Sequence, residues 1–317
     1  MPAAPLTATA EAPVPDGARG FWYEGARGAR LRAAMFPAPG PARGSVVLSG
    51  GRTEPIEKYF EVIGELQQRG FVVLAHDWRG QGLSHRMLPA RNRGHAESCA
   101  DFLGDLRLLL ARTQGELPRP WIVFGHSMGG ALSALAVAKG VAEFEGVFLS
   151  APMMGLAAVR RFPQGAALIA KAMLGAGRAG HYVVQDSFEP LLGPFEGNIL
   201  THDRGRYDRY SGQLEACLDL ALGGVTWGWL DFALTAGSIL GRTSTAKAVR
   251  VPLTIVAAQE DHLVLNGPSR RFAERAPQGR YVEIAGAYHE VLMETDARRA
   301  LVWAEFDALA DRMARPG

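Results

Sequence analysis

The chain carries a serine between two glycines, in the run Gly-His-Ser-Met-Gly at Gly125–Gly129. An apolar run, Trp121–Phe124, precedes it and a small-residue helical pattern follows, so we predict a strand, a tight turn and a helix with Ser127 at the apex. Such a turn offers the serine hydroxyl as a nucleophile and points helix amides at the developing charge. A chance Gly-x-Ser-x-Gly is the alternative, and the flanking elements disfavour it.

A serine hydroxyl needs a base within hydrogen-bonding reach, and that base needs an acid that orients it. Asp261 follows an apolar strand pattern at 254–258, and His289 follows the last strand pattern, at 280–284. Both would lie in loops at the carboxyl ends of parallel strands, the edge where open α/β sheets place their sites. We therefore predict Asp261 and His289 as acid and base, and leave Glu260 and His262 open as alternatives.

Each of these two assignments has a plainer alternative. His289 could belong to an ordinary surface loop, and Asp261 could cap the helix that begins near Ser269. The order of the three residues along the chain, Ser127 first, then the acid, then the histidine, favours the catalytic interpretation because α/β-hydrolases use that order.

Attack on a carbonyl also needs two backbone amides that stabilise the oxyanion. One should be the amide of Met128, directly after the nucleophile. The other should come from the loop after the apolar strand at 45–49, where Gly50 and Gly51 let the backbone approach a ligand closely. We predict Gly51 as this donor and Arg52 as the second choice; an ordinary glycine turn is the plainer alternative.

The elements that position these residues alternate along most of the chain. An antiparallel hairpin is predicted at 21–36, and short apolar strands then alternate with amphipathic helices, which implies parallel pairing with right-handed crossovers. We predict an α/β core formed by residues 21–152 and 251–317. Residues 1–20, rich in Ala, Pro and Thr at their start, are predicted to form a flexible arm.

Residues 153–250 break this rhythm, because they hold few β-branched runs and many Ala, Leu, Gly and aromatic residues. Helical patterns at 168–174 and 214–222 indicate a helical cap inserted into the sheet domain. An aromatic-rich helix is predicted from Trp227 onward. The candidates for a substrate pocket are Trp227, Trp229 and Phe232, for which core packing is an equally good interpretation, and Arg52.

Composition excludes several classes of function. The chain has 317 residues and a formal net charge of +2, so no global field favours nucleic acid. Its two cysteines, Cys99 and Cys217, lack metal-like spacing and fit a reducing compartment. No apolar run is long enough to span a bilayer, and residues 1–17 make a poor signal peptide. We predict a cytoplasmic protein that contacts membranes, if at all, from one side.

No cofactor is predicted. The Gly80–Gly82 region contains Gly-x-Gly, but His85 stands where a dinucleotide fingerprint needs its third glycine. The histidines of this region show no metal-ligand spacing. We interpret Asp77 and Arg79 as residues that shape the loop.

These motifs resemble the α/β-hydrolase superfamily across nearly all of the chain. Within it, the sequence is similar to the monoglyceride lipase and bacterial lysophospholipase group, also labelled serine-aminopeptidase-like. One departure is Ser49, which stands where that group has a histidine before the glycine of the oxyanion loop. The matching segments are 51–59 (Gly-Arg-Thr-Glu-Pro-Ile-Glu-Lys-Tyr), 77–84, 125–130, Asp261, 288–290, and, in the cap, 198–203 and 226–230.

The resemblance implies hydrolysis of a carboxylic ester with one fatty acyl chain. Ser127 would attack the carbonyl, His289 would transfer the proton, and water would release the acyl-enzyme. The implied partner is a small lipid ester, with peripheral membrane contact through the cap. A thioesterase or a small-amide or peptide hydrolase with the same triad is the alternative. A non-catalytic binding module is less favoured, because all three triad residues are present.

Overall fold

The computed structural model describes residues 1–184 and 192–314. Within those residues an eight-stranded sheet has the order β1-β2-β4-β3-β5-β6-β7-β8. β2 pairs antiparallel with β1 and β4, and every other neighbouring pair is parallel, so the predicted α/β-hydrolase architecture is confirmed. The strands are β1 (Arg19–Glu24), β2 (Arg30–Phe36), β3 (Gly44–Ser49), β4 (Phe71–His76), β5 (Trp121–His126), β6 (Gly146–Ser150), β7 (Leu253–Ala258) and β8 (Gly279–Ile284).

The central strands are buried along their whole length, which explains their nearly continuous apolar sequences. No residue of β3, β4, β5 or β7 is exposed. Helices cover both faces, as a parallel sheet requires. One face packs mainly against α2, α3 and α6, and the other against α1 and α9. The helices that bound the core are α1 (Phe60–Gln68), α2 (Cys99–Thr113), α3 (Ser127–Ala138), α8 (Asn266–Arg275) and α9 (Asp296–Ala314).

The segment 153–250 leaves the sheet after β6 and returns at β7. Its described residues carry four α-helices. The single helix predicted at 214–222 is two separate elements in the structure. α5 ends at Ala216, and a separate 3-10 turn spans Leu218–Leu220, because Cys217 leaves the helical region (φ −147°, ψ 88°). The helices are α4 (Pro163–Gly175), α5 (Arg204–Ala216), α6 (Trp227–Leu240) and α7 (Thr243–Ala248).

The N-terminal segment, predicted as a flexible arm, lies hydrogen-bonded along the core. The Ala4 amide donates to the Gly20 carbonyl (3.0 Å), and the Trp22 amide donates to the Pro2 carbonyl (2.9 Å). Ala12 is buried. These contacts fix the path of the segment, since a terminus becomes ordered when its backbone is tied to a strand.

Among the described helices, none combines the length and the apolar character that crossing a bilayer would require.

Candidate active site

Ser127 lies at a sharp turn between β5 and α3. Its φ is +49°, in the left-handed region that residues with a side chain rarely adopt, so the backbone is strained. The flanking glycines make this turn possible. A Cβ at Gly125 would lie 2.7 Å from the Cα of Gly130, and a Cβ at Gly129 would collide with carbonyl oxygens after β3. The predicted strand, turn and helix therefore place Ser127 at the carboxyl edge of the sheet.

Three side chains from separate loops meet at this turn. The Ser127 hydroxyl donates to Nε2 of His289 across 2.9 Å, and Nδ1 of His289 donates to Oδ2 of Asp261 across 2.7 Å. The side chains of His289 and Asp261 are 5% and 1% exposed, so water competes little for these bonds. The carboxylate holds the imidazole with its Nε2 lone pair toward the hydroxyl, which is the arrangement that activates a serine.

The competing residues lie elsewhere. Glu260 and His262 are exposed, and the ring of His262 packs against Tyr288 with centroids 5.4 Å apart. Asp261 does not cap the next helix, which begins at Asn266. Its Oδ1 accepts instead from two amides of its own loop, at 2.8 and 2.9 Å. These bonds leave Oδ2 directed at the imidazole.

Charge in this trio favours an ionised acid and a basic imidazole. Burial opposes a cationic His289, but the hydrogen bond and charge of Asp261 outweigh burial and raise the pKa of His289 above its ordinary value. Burial also raises the pKa of Asp261, yet His289 and the two loop amides outweigh it and the net pKa is lowered. Asp261 is therefore a carboxylate at neutral pH and can stabilise an imidazolium.

The backbone amides near Ser127 differ in their partners. The Met128 amide lies in the first turn of α3, where no carbonyl of the helix can accept from it. The Gly51 amide, our predicted second donor, already donates to the Glu54 side chain. A Cβ at Gly51 would lie 3.1 Å from that of Ser127, so this loop passes directly over the hydroxyl. Within the described chain, the neighbouring Arg52 amide has no such acceptor.

Behind the nucleophile lies a buried group of three ionic side chains, Glu54, Lys58 and Glu290, here called the lysine cluster. Lys58 Nζ donates to each carboxylate at 2.6 Å. Burial raises the pKa of Glu54, but the charge of Lys58 outweighs burial and brings that pKa to about 2. Burial keeps the pKa of Glu290 raised. The cluster ties the oxyanion loop to the residue that follows His289.

Sequence reasoning missed the lysine cluster. One signal was available: Glu54 and Lys58 stand four positions apart directly after the oxyanion loop, in a chain with only four lysines. Glu290 carried no comparable signal, because its pairing with Lys58 joins two segments that only the fold brings together.

The loop around Asp77 serves the fold, as its sequence suggested. Asp77 pairs with Arg32 at 2.7 Å, and neither side chain is exposed. Arg79 pairs with Asp105 at 2.6 Å. These ion pairs satisfy buried charges and leave no group directed at Ser127.

A cavity of about 400 Å³ lies between helices α4 and α6 and the start of α8. Met153 lines it, and the Met153 amide donates to the Ser127 carbonyl across 2.9 Å, so one residue of its wall contacts the backbone of Ser127. None of Ser127, Asp261 and His289 lines the cavity. Its walls are mainly apolar, and its size falls within the usual range of ligand pockets. The cap supplies much of the wall, including Ala167, Ala233, Leu234 and Gly237.

The aromatic residues predicted for a pocket lie on another face of α6. Trp229 and Phe232 are buried, and Phe232 packs on Phe102 of α2 with ring centroids 4.9 Å apart. Trp227 is half-buried at the start of the helix. None of these three lines the cavity, so the interpretation of Trp229 and Phe232 as core packing describes them better. Arg52 places its guanidinium over the Trp229 ring, 5.7 Å from the centroid.

Comparison with known proteins finds relatives along most of the chain. The profile of the family described as serine aminopeptidase, S33, matches residues 40–296. Lysophospholipase L2 of Escherichia coli K12 is 35% identical over 274 residues, which cover 81% of this chain and 77% of that protein. A monoacylglycerol lipase of Mycolicibacterium smegmatis is 25% identical over 288 residues, covering 88% and 92%. These similarities support the predicted carboxylic ester hydrolase.

Solved structures show the same fold. A soluble variant of monoglyceride lipase from Saccharomyces cerevisiae, in complex with a substrate analogue, matches with a TM-score of 0.74 at 19% identity, covering 99% of this chain and all 100% of that one. Monoacylglycerol lipase of Paleococcus ferrophilus matches with a TM-score of 0.67 at 22% identity, covering 89% and 98%. At such identities the likeness concerns the fold alone. By its family profile and its sequence relatives, this chain belongs to the serine aminopeptidase S33 family of α/β-hydrolases, as its motifs predicted.

Proposed function

We propose that this protein is a serine hydrolase that cleaves the carboxylic ester of single-acyl-chain lipids, lysophospholipids or monoacylglycerols, through an acyl-enzyme. The observation that carries the proposal is the hydrogen-bonded line from Ser127 through His289 to Asp261, with distances of 2.9 and 2.7 Å. The relatives named lysophospholipase and monoacylglycerol lipase support the class of substrate.

In this mechanism His289 acts first as a base and then as an acid. It removes the proton from the Ser127 hydroxyl as that oxygen bonds to the ester carbonyl carbon, and Asp261 stabilises the imidazolium. His289 then protonates the leaving alcohol as the ester C–O bond breaks, which leaves the acyl group on Ser127. In the second half, His289 deprotonates a water as its oxygen bonds to the acyl carbon. The bond between the acyl carbon and Ser127 Oγ then breaks, His289 returns the proton to Oγ, and the fatty acid is released.

The tetrahedral oxyanion takes hydrogen bonds from the Met128 amide and from one amide of the loop over Ser127. Gly51 serves as this second donor if its amide leaves the Glu54 carboxylate when substrate binds. Arg52 serves if that bond stays in place. The close approach of Gly51 to Ser127 supports the first of these two arrangements.

The acyl chain occupies the apolar cavity beside Met153. Met153 of the cavity wall donates its amide to the Ser127 carbonyl, and the cavity extends from there between helices α4 and α6 of the cap. Its volume of about 400 Å³ and its mainly apolar wall suit one aliphatic chain, which binds through burial of apolar surface.

The cap also carries the surface that would contact a lipid aggregate. Phe162, Leu168 and Ile169 are 66%, 71% and 49% exposed. Exposed cations, Arg161 and Lys171, flank them. Exposed apolar side chains beside basic groups favour binding in the interfacial region of an anionic membrane. This patch lies on and beside α4, which also lines the cavity, so an extracted lipid has a short way to the site.

The test combines covalent labelling with ester hydrolysis. Wild-type protein should react with a fluorophosphonate probe at Ser127 and hydrolyse p-nitrophenyl esters, with a preference for acyl chains longer than acetyl. Ser127→Ala should lose the label and about 10⁴-fold or more in kcat. Ser133→Ala, in the same helix, is the matched control and should keep both. Retained turnover in Ser127→Ala would end the proposal, and thioester or amide cleavage without ester cleavage would assign the triad to another substrate.

A further inference from the structure

Among the residues that the structure describes, Arg52 lacks the carboxylate partner that two buried arginines of the core have. Arg32 pairs with Glu57 at 2.7 Å, and Arg79 pairs with Asp105 at 2.6 Å. Within residues 1–184 and 192–314, no carboxylate pairs with the Arg52 guanidinium. In this described part of the chain, the Arg52 guanidinium therefore lacks a carboxylate of the kind that pairs with Arg32 and with Arg79.

The Arg52 guanidinium also leaves most of its donors unused. Its Nη2 donates to the Gly223 carbonyl, and its Nε is buried without an acceptor among the described residues. Burial lowers the pKa of Arg52 to about 10, which leaves the group cationic at neutral pH. A buried donor without an acceptor costs free energy, so a ligand that supplied an acceptor would gain binding free energy at Arg52.

The surroundings of this guanidinium suit an anion. The side chains that act on it electrostatically, Tyr210 and Tyr182, are phenols and not carboxylates. The guanidinium packs closely on the backbone of Gly94, where an added Cβ would lie 2.9 Å from Nη2, so this glycine allows the side chain its position.

The position of Arg52 fits one part of a lysophospholipid. Its backbone adjoins Gly51, whose loop passes over Ser127, while its side chain reaches the cap at Gly223. In a lysophospholipid, the glycerol joins the scissile carbonyl to the phosphorus through about as many bonds as join an arginine Cα to its guanidinium. The two spans are therefore of similar length.

We propose that Arg52 binds the phosphate of a lysophospholipid headgroup and gives the enzyme a preference for phosphate-bearing lipids over uncharged monoacylglycerols. The planar guanidinium donates two parallel hydrogen bonds to phosphate oxygens, a contact that an ammonium group cannot make. The inference rests on the proposed function, because it assumes that Ser127 attacks the ester of the same lipid.

The test compares kcat/KM for lysophosphatidylcholine and for the monoacylglycerol with the same acyl chain. Arg52→Gln should lower the ratio of the two values by about 10- to 100-fold, since it removes a charge-assisted pair. Arg52→Lys, which keeps the charge without the fork, should recover part of the ratio. Fluorophosphonate titration counts the competent sites in each variant, so a loss of folded protein does not enter the ratio.

Arg93→Gln is the matched control. Like Arg52, Arg93 donates to one backbone carbonyl and lies over an aromatic ring, that of Tyr182, 5.3 Å from the centroid. Its removal should leave the ratio within about twofold of wild type, because surface-type contacts of this kind contribute little. A ratio that is the same in wild type, Arg52→Gln and Arg93→Gln overturns the phosphate assignment while ester hydrolysis stands. Absence of labelling and of hydrolysis in wild type overturns the proposed function, and the assignment with it.

Discussion

The carboxyl edge of the sheet and the cap above it use polar groups in opposite ways. At the sheet edge, ionic side chains are buried against partners: Asp261 binds His289, and Lys58 binds two carboxylates. In the cap, the side chains that line the cavity are mainly apolar, and others such as Leu168 project into solvent. The sheet edge holds charges in fixed directions, whereas the cavity wall of the cap offers mainly apolar surface.

Under the proposed function, this difference separates bond cleavage from the choice of substrate. Preorganised dipoles and charges stabilise a transition state because they need no reorganisation when charge develops. The free energy of binding to an apolar wall depends on the buried apolar area and has no directional requirement. A cap of this kind can therefore accept acyl chains of different length. Arg52 lies at the boundary: it has the polarity of the sheet edge without the pairing found there. Variants of the two regions should therefore fail in different ways.

The largest effect should follow from Asp261→Asn, within the paired region. Asparagine keeps the shape of the side chain, but it cannot stabilise an imidazolium and allows the wrong tautomer of His289. We expect kcat for a p-nitrophenyl ester to fall about 10⁴-fold with little change in KM. Glu260→Gln, one position away and exposed, should keep its activity. Equal losses in the two variants would contradict the assignment of the acid.

A smaller effect should follow from Glu54→Gln, in the lysine cluster. The change removes a buried charge that binds Lys58 at 2.6 Å and also holds the Gly51 amide. We expect the free energy of unfolding in urea to fall by about 2 kcal/mol, because buried donors lose their acceptor. The control is Glu65→Gln, whose half-buried carboxylate pairs with Arg299 and should contribute less than about 1 kcal/mol. If the free energy of unfolding fell less in Glu54→Gln than in Glu65→Gln, buried ion pairs would not contribute more to stability here than peripheral ones.

In the cap, the double variant Phe162→Ser and Leu168→Ser should weaken lipid binding modestly. Both side chains are more than half exposed and are apolar, so partial insertion of each into an anionic vesicle contributes apolar burial. We expect the partition coefficient onto phosphatidylglycerol vesicles to fall about fivefold. Leu301→Ser, which alters a leucine 53% exposed on α9, is the control and should leave partitioning unchanged. If the partition coefficient fell equally in the double variant and in Leu301→Ser, the cap would not be the surface that contacts the membrane.

The smallest effect is a shift of the pH profile by Glu290→Gln. The base must be neutral, so kcat/KM falls as the pH falls through the pKa of His289, which lies above its ordinary value of about 6.5. The charge of Glu290 contributes to that raised pKa. Its removal should move the acid limb to lower pH by less than about one unit. Glu283→Gln, at the edge strand β8, should leave the acid limb in place. An acid limb that moves to higher pH in Glu290→Gln would contradict the electrostatic coupling of Glu290 to His289.

The local parts of the site could be predicted from the sequence, because each depends on neighbours along the chain. The glycines around Ser127 permit a tight turn between a strand and a helix, and a short apolar run precedes Asp261. The strand before His289 mixes apolar and charged residues. Parallel strands bring their carboxyl ends to one edge, so the meeting of these three residues follows from the alternation of elements. That step needed no knowledge of side-chain packing.

Other features depend on which segments the fold places side by side. The Gly51 amide binds Glu54, α6 turns Trp229 and Phe232 toward α2, and the N-terminal segment binds the edge of β1. No local pattern encodes these contacts, because an apolar helix face or a free amide can be satisfied by several neighbours. The sequence by itself determined the chemistry of the nucleophile and the sheet that presents it. Only the tertiary structure decided how the charges around it are paired and where the cavity opens, because burial and pairing energies depend on positions brought together from distant parts of the chain.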